Sequence, residues 1–132
     1  MNDFILKETD TTPEINFNAS SGDLLIEGKL IPEDAKEFFE PILSWLDDYV
    51  KTDIYVTKLK LKLHYFNVSS SKNILYIFYT LNSLIKRERL VEIQWYYSID
   101  EDEMYELGQD FALMVNIPFK FIEFDIYKEM KA

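Results

Sequence analysis

The chain contains no cysteine, so neither a disulfide scaffold nor thiolate metal ligation is available to it. Its one histidine, His64, cannot build a zinc site by itself, and structural zinc is excluded. No stretch is long enough to cross a bilayer, and the start Met-Asn-Asp-Phe-Ile-Leu-Lys-Glu lacks a basic segment followed by an apolar run, which reads as a cytoplasmic protein. Positive charge is also scarce. A formal charge of −10 opposes binding to phosphate backbones or anionic lipid, so neither nucleic acid nor membrane is an expected partner. What is present is apolar material: 48% of 132 residues, enough for one domain spanning 1–132 with a core of its own.

The organising stretch is Leu59 to Ile85. In LKLKLHYF, Leu59, Leu61, Leu63 and Tyr65 alternate with Lys58, Lys60, Lys62 and His64, the period-2 signature of a strand buried on one face. Beyond Asn67-Val68-Ser69-Ser70-Ser71-Lys72 the apolar spacing changes, with Ile74, Ile77, Phe78, Leu81, Leu84 and Ile85 at helical intervals. Between the two patterns the backbone must turn and a helix must begin. Three hydroxyls sit at that turn, where a helix start offers unpaired N–H groups and partial positive charge. One serine is expected to cap it, and a phosphate added there would be electrostatically favoured.

In chain order, Phe4 to Lys7 and Glu14 to Phe17 read as short strands, and Ser20-Ser21-Gly22-Asp23 as a turn into a strand over Leu24 to Leu30. Pro32, followed by Glu33 and Asp34, fits a first helical position. That helix carries a broad stripe of Phe38, Phe39, Ile42, Leu43, Trp45, Leu46, Tyr49 and Val50, with Pro41 predicting a kink or a separate first turn. After Lys86-Arg87-Glu88-Arg89, Leu90 to Tyr97 reads as a two-faced strand. Ser98-Ile99-Asp100-Glu101 matches a capping box for a third helix striped by Met104, Leu107, Phe111, Met114 and Val115. Phe119 to Tyr127 closes the sheet, with Ile122, Phe124 and Ile126 on one face and Phe121, Glu123 and Asp125 on the other.

This order predicts an α/β fold: a mixed sheet with an N-terminal hairpin, parallel strands in the second half, and three main helices mostly on one face. Charge at alternate strand positions predicts an open face where Lys58, Lys60, Lys62 and His64 meet Glu92, Glu123 and Asp125 in cross-strand ion pairs.

No catalytic set emerges. Ser69-Ser70-Ser71-Lys72 contains Ser-x-x-Lys, but the usual companion motifs and a second histidine are missing. Asp100-Glu101-Asp102-Glu103 lacks the calcium-loop spacing and glycine and reads as helix-start chemistry, so no metal or cofactor is expected.

The residues Thr12-Pro13-Glu14, Ser21-Gly22-Asp23-Leu24, Gly28-Lys29, Pro32-Glu33-Asp34-Ala35, Phe39, Pro41, Trp45-Leu46 and Tyr65-Phe66-Asn67-Val68-Ser69-Ser70-Ser71-Lys72 resemble the SiaC-type regulatory phosphoproteins of bacteria across nearly the whole chain. The resemblance implies a STAS-like single domain in a partner-switching circuit. In such a circuit a dedicated protein kinase modifies the protein, a PP2C-type phosphatase reverses this, and the unmodified form binds and activates a diguanylate cyclase. The family's usual phosphoacceptor is a threonine directly after the asparagine, where this chain has Val68, which cannot accept phosphate. Ser69 becomes the nearest candidate acceptor, with Ser70 behind it, and Asn67, Val68, Ser69, Ser70, Ser71 and Lys72 the expected docking segment. Two alternatives stand beside this: a docking protein that is not switchable because of Val68, and a module like the anti-sigma-factor antagonists with a different partner.

Overall fold

In the computed structural model, which describes residues 1–131 and side chains as far as Glu129, six strands form one sheet in chain order. The elements are β1 (Phe4–Leu6), β2 (Glu14–Phe17), β3 (Asp23–Leu30), α1 (Ala35–Tyr49), β4 (Val56–Phe66), α2 (Val68–Lys86), β5 (Leu90–Ser98), α3 (Asp102–Met114), β6 (Phe119–Phe124) and α4 (Ile126–Lys131). β1, β2 and β3 pair antiparallel, and β3 through β6 pair parallel with a helix in each crossover, because parallel neighbours need a long connection. The N-terminal hairpin and the parallel half stand as the sequence predicts.

Leu24, Ile26 and Leu30 of β3, Leu59, Leu61 and Leu63 of β4, and Val91, Ile93 and Trp95 of β5 share a single buried cluster with residues of all three long helices. These helices contribute Phe39, Ile42 and Leu46, then Ile74, Phe78 and Leu81, then Met104 and Phe111, so they cover the same face of the sheet. α3 lies so close to β5 that a Cβ on Gly108 would come within 2.5 Å of the Trp95 indole nitrogen, which donates to the Met104 carbonyl at 2.9 Å. At the far end of α1 the Tyr49 hydroxyl is buried against Thr57 Oγ1 at 2.6 Å. Desolvation pushes that phenol above its ordinary pKa, and the Thr57 bond partly opposes the shift.

Several local expectations are corrected. The first helix starts at Ala35 and not at Pro32, because the Asp34 carboxylate accepts from the Glu37 N–H at 3.0 Å and makes Asp34 the cap. The helix then runs unbroken through Pro41, with no separate first turn. The Ser98 capping box does not form. Ser98 is the last residue of β5, paired with Phe124, and its hydroxyl is buried in the sheet with no partner among the described residues, while α3 begins at Asp102 behind Glu101. The last strand ends at Phe124, and Asp125 accepts from the Tyr127 N–H at 3.0 Å to start α4, so Ile126 and Tyr127 are helical.

Two strands also change face. Between Gly28 and Lys29 the β3–β4 register shifts, with Leu63 opposite Gly28 and Tyr65 opposite Lys29, which makes His64 the extra residue of a bulge. The alternation of β4 reverses there: Phe66 packs on the core, whereas Tyr65 is exposed and lies under the Lys29 ammonium at 5.7 Å. In β6, Phe119 and Phe121 pair with Ile93 and Trp95 and pack against the core. Ile122 and Phe124 therefore take the open face and Glu123 the helical one, the reverse of the assignment from the sequence. Both faces of this strand are apolar, so its own pattern carries no phase, and the neighbours set it.

The open face is consequently less ionic than expected. Lys58 stands in register with Glu92 on one side and Asp23 on the other, yet among the described residues the one ion pair is Lys62 to Glu129 at 2.5 Å. Lys62 is buried there between the rings of Phe124 at 4.8 Å and Tyr96 at 5.6 Å, beneath α4. An aromatic shelf with one clamped cation replaces the expected ladder of charge pairs.

The bulge depends on Gly28, whose φ of +128° lies in a region that L side chains rarely adopt. Gly28→Ala is expected to lower unfolding stability by about 1–3 kcal/mol, as backbone strain of this kind does, read as a shift of the denaturant midpoint at unchanged slope.

Candidate docking site

β4 delivers the chain to a corner that is tied to the neighbouring strand. The Asn67 N–H donates to the Leu30 carbonyl at 3.1 Å, extending the β3–β4 ladder to the residue that precedes α2. Asn67 has extended dihedrals, φ −93° and ψ 154°, and occupies the cap position, which corrects the expectation that a serine would do so. Its carboxamide does not bond the free helix N–H groups. Instead Asn67 Oδ1 accepts from the Ser70 hydroxyl at 2.6 Å, and the Ser70 N–H donates to the Asn67 carbonyl at 3.0 Å.

These bonds sort the hydroxyls. Ser70 is fully buried and occupied by Asn67, so its oxygen is out of reach of a kinase in this conformation. Ser71 is half-buried and donates to the Val68 carbonyl at 2.7 Å. Ser69 is exposed, as is Lys72. Val68 is 87% exposed at the first residue of α2.

The electrostatics of the corner are equally specific. α1 starts with Asp34 and Glu37, and α3 with Asp102 and Glu103, which complement the positive helix end. The first turn of α2 has no acidic residue, and its cap makes no side-chain bond to the backbone. The N–H groups of Val68 and Ser69 thus face outward beside an apolar side chain and a free hydroxyl. Among the described residues no cluster of histidine and carboxylates is arranged to hold a metal. Sequence reasoning missed the Asn67–Ser70 bond, although the i, i+3 spacing of an asparagine and a serine before a helical stripe is its visible signal.

A six-stranded mixed sheet with its three long helices on one face, and an exposed, unneutralised helix start at a strand-to-helix corner, define a small α/β domain that offers a corner for docking. The model of the family described as SiaC family regulatory phosphoprotein matches residues 6–124. The chain belongs to the SiaC family. It is 28% identical over 119 residues to an uncharacterized protein of Pseudomonas aeruginosa (strain UCBPP-PA14), covering 90% of this chain and 94% of that one. Its fold is similar to that of SiaC of Pseudomonas aeruginosa, with a TM-score of 0.85 at 27% identity over 94% of this chain and 100% of the other. It is also similar, with a TM-score of 0.86 at 26% identity over 92% of this chain and 100% of the other, to a chain in the crystal structure of the diguanylate cyclase SiaD in complex with its activator SiaC from the same organism.

Removal of the Asn67 side chain leaves the Ser70 hydroxyl buried without an acceptor. Asn67→Ala is therefore expected to cost about 1–3 kcal/mol and Ser70→Ala less. The double variant should lie well below the sum of the two, as measured by chemical denaturation of all three proteins.

Proposed function

We propose that this chain is a non-enzymatic regulatory protein that docks on a diguanylate cyclase through the corner from Asn67 to Lys72 and activates it. On this reading Ser69 is the hydroxyl through which a protein kinase and a PP2C-type phosphatase switch docking off and on. The observation that carries it is the sorting at the corner: Val68 and Ser69 face solvent while Ser70 is buried. Membership of a family of regulatory phosphoproteins, and a solved relative in complex with a diguanylate cyclase, support the choice of partner.

The magnitudes favour interference over reshaping. A phosphoryl group adds about −1.5 to −2 charges at pH 7, and a helix N-terminus favours an anion by only about 0.3–1 kcal/mol. That is too little to rearrange a domain whose stability is typically about 5–15 kcal/mol. In the middle of a docked surface, by contrast, a misplaced charge costs several kcal/mol, and about 1.4 kcal/mol already changes affinity tenfold. The switch works by blocking contact, with the fold unchanged.

A second reading has its own observation. Val68 holds the position where the resembling family carries threonine, and an exposed valine adds apolar contact that no kinase can remove. On that reading the protein docks permanently. Phosphopeptide mapping after expression in the native host separates the two: phosphate on Ser69, and none on Ser70 or Ser71, is expected of the switch. Absence of phosphate at Ser69 under every growth condition would leave permanent docking. In titration calorimetry against the host's diguanylate cyclase, Ser69→Glu should weaken binding at least tenfold, and unchanged affinity would remove the corner from the interface.

A further inference from the structure

The outward face of α2 departs from what a solvated helix surface requires. At 100° per residue, Val68, Lys72, Tyr76, Tyr79, Ser83 and Lys86 fall within one quarter of the helix circumference. Val68, Tyr76 and Tyr79 are 87, 43 and 50% exposed, so the stripe is apolar and aromatic and it faces water. The Lys72 ammonium lies over the Tyr76 ring at 5.6 Å, which holds its stem along the stripe and leaves its charge outward. Acidic residues are excluded as well. The chain has 24 of them, and an even spread would put three or four in the 19 residues of α2, which has none. Among the described residues neither Lys72 nor Lys86 pairs with a carboxylate.

Exposed apolar side chains scattered singly need no explanation, whereas a contiguous aromatic stripe marks a contact surface. From Val68 to Tyr79 is about 16 Å at about 1.5 Å per residue, three helical turns. Anchors at i, i+4, i+8 and i+11 match a second helix laid alongside, and tyrosine is enriched among residues that dominate binding energy. Charge complementarity fixes the flank of the occupant. α2 offers only cations, while Glu37, Glu40, Asp47 and Asp48 stand on α1, which packs beside it.

We infer that the outer stripe of α2, from Val68 through Lys72 and Tyr76 to Tyr79, seats a helix of the partner protein that brings an apolar seam to the tyrosines and a carboxylate to Lys72. The inference rests on the docking role proposed for the corner, and extends it three turns along the helix to residues that carry no phosphate.

The test is titration calorimetry of the full chain against the host's diguanylate cyclase with Val68→Glu, Tyr79→Glu, Tyr79→Ala, Lys72→Glu and, on the opposite face of the sheet, Lys120→Glu. The expected result is a loss of tenfold or more for Val68→Glu and Tyr79→Glu and a smaller loss for Tyr79→Ala. Lys72→Glu should lose affinity that a Glu→Lys or Asp→Lys change in the cyclase restores, while Lys120→Glu binds as the parent does. Thermal melts of the free variants show whether the exposed Tyr79 changes leave the fold intact, and Tyr79→Ala gives the reading should Tyr79→Glu unfold. Loss on Val68→Glu with parental binding by both Tyr79 variants would overturn the stripe and leave the corner standing. Parental binding by Val68→Glu as well would remove both. Hydrogen exchange of the complex gives an independent reading: protection of residues 68–83 together with a helical segment of the cyclase is expected, and protection confined to the strands of either protein would overturn the inference.

Discussion

One extra residue in the longest strand determines what the molecule can show to a partner. With His64 bulged out opposite Gly28, the side chains after it exchange faces. Phe66 enters the core, and the next N–H, that of Asn67, meets the Leu30 carbonyl. Had β4 continued in regular alternation, Tyr65 would face the helices and Phe66 the open side, and the chain would leave the sheet rotated by one residue. α2 would then begin with a different residue outward. The exposure of Val68 and Ser69 and the burial of Ser70 thus follow from a single register shift, which a glycine at φ +128° on the facing strand permits.

The corner that results is rigid where it is internal and unsatisfied where it is external. Asn67 spends its carboxamide oxygen on a buried hydroxyl and its N–H on the sheet, so both of these groups are committed to the fold. The helix end is left without the carboxylates that neutralise α1 and α3. Its free N–H groups stand in solvent beside the exposed Val68 side chain. A surface of that kind gains by being covered, and α2 continues it along its length with aromatic side chains and no acid. The opposite face of the sheet is organised differently: α4 folds over it, and Lys62 beneath it is held between two rings with Glu129 as counter-ion. A lysine so desolvated requires its partner, since an unpaired buried charge costs several kcal/mol.

The strand and helix order was legible in the sequence because the two apolar periods differ and the change between them is sharp in Leu59 to Ile85. The three helices, the hairpin and the parallel half all follow from that reading. Helix boundaries were less legible: Asp34 outcompeted Pro32 as a start because its carboxylate reaches an N–H three residues on. Ser98 failed as a cap because the sheet claimed it first. The phase of β6 was not legible, since Phe119, Phe121, Ile122 and Phe124 make both faces apolar, and only pairing with Ile93 and Trp95 chooses between them.

By itself the sequence determined the positions of the six strands and the three long helices, and that Ser69 to Ser71 lie near a helix start. Local periodicity and residue chemistry act over a few positions, and both are written in the chain. Only the tertiary structure decided which hydroxyl is free, which aromatic residues face water and which lysine is clamped. Each of these depends on a partner far away in sequence: Leu30 for Asn67, Gly28 for the bulge, Glu129 for Lys62. A register shift of one residue reverses a face, and no local pattern records the strand against which that register is set.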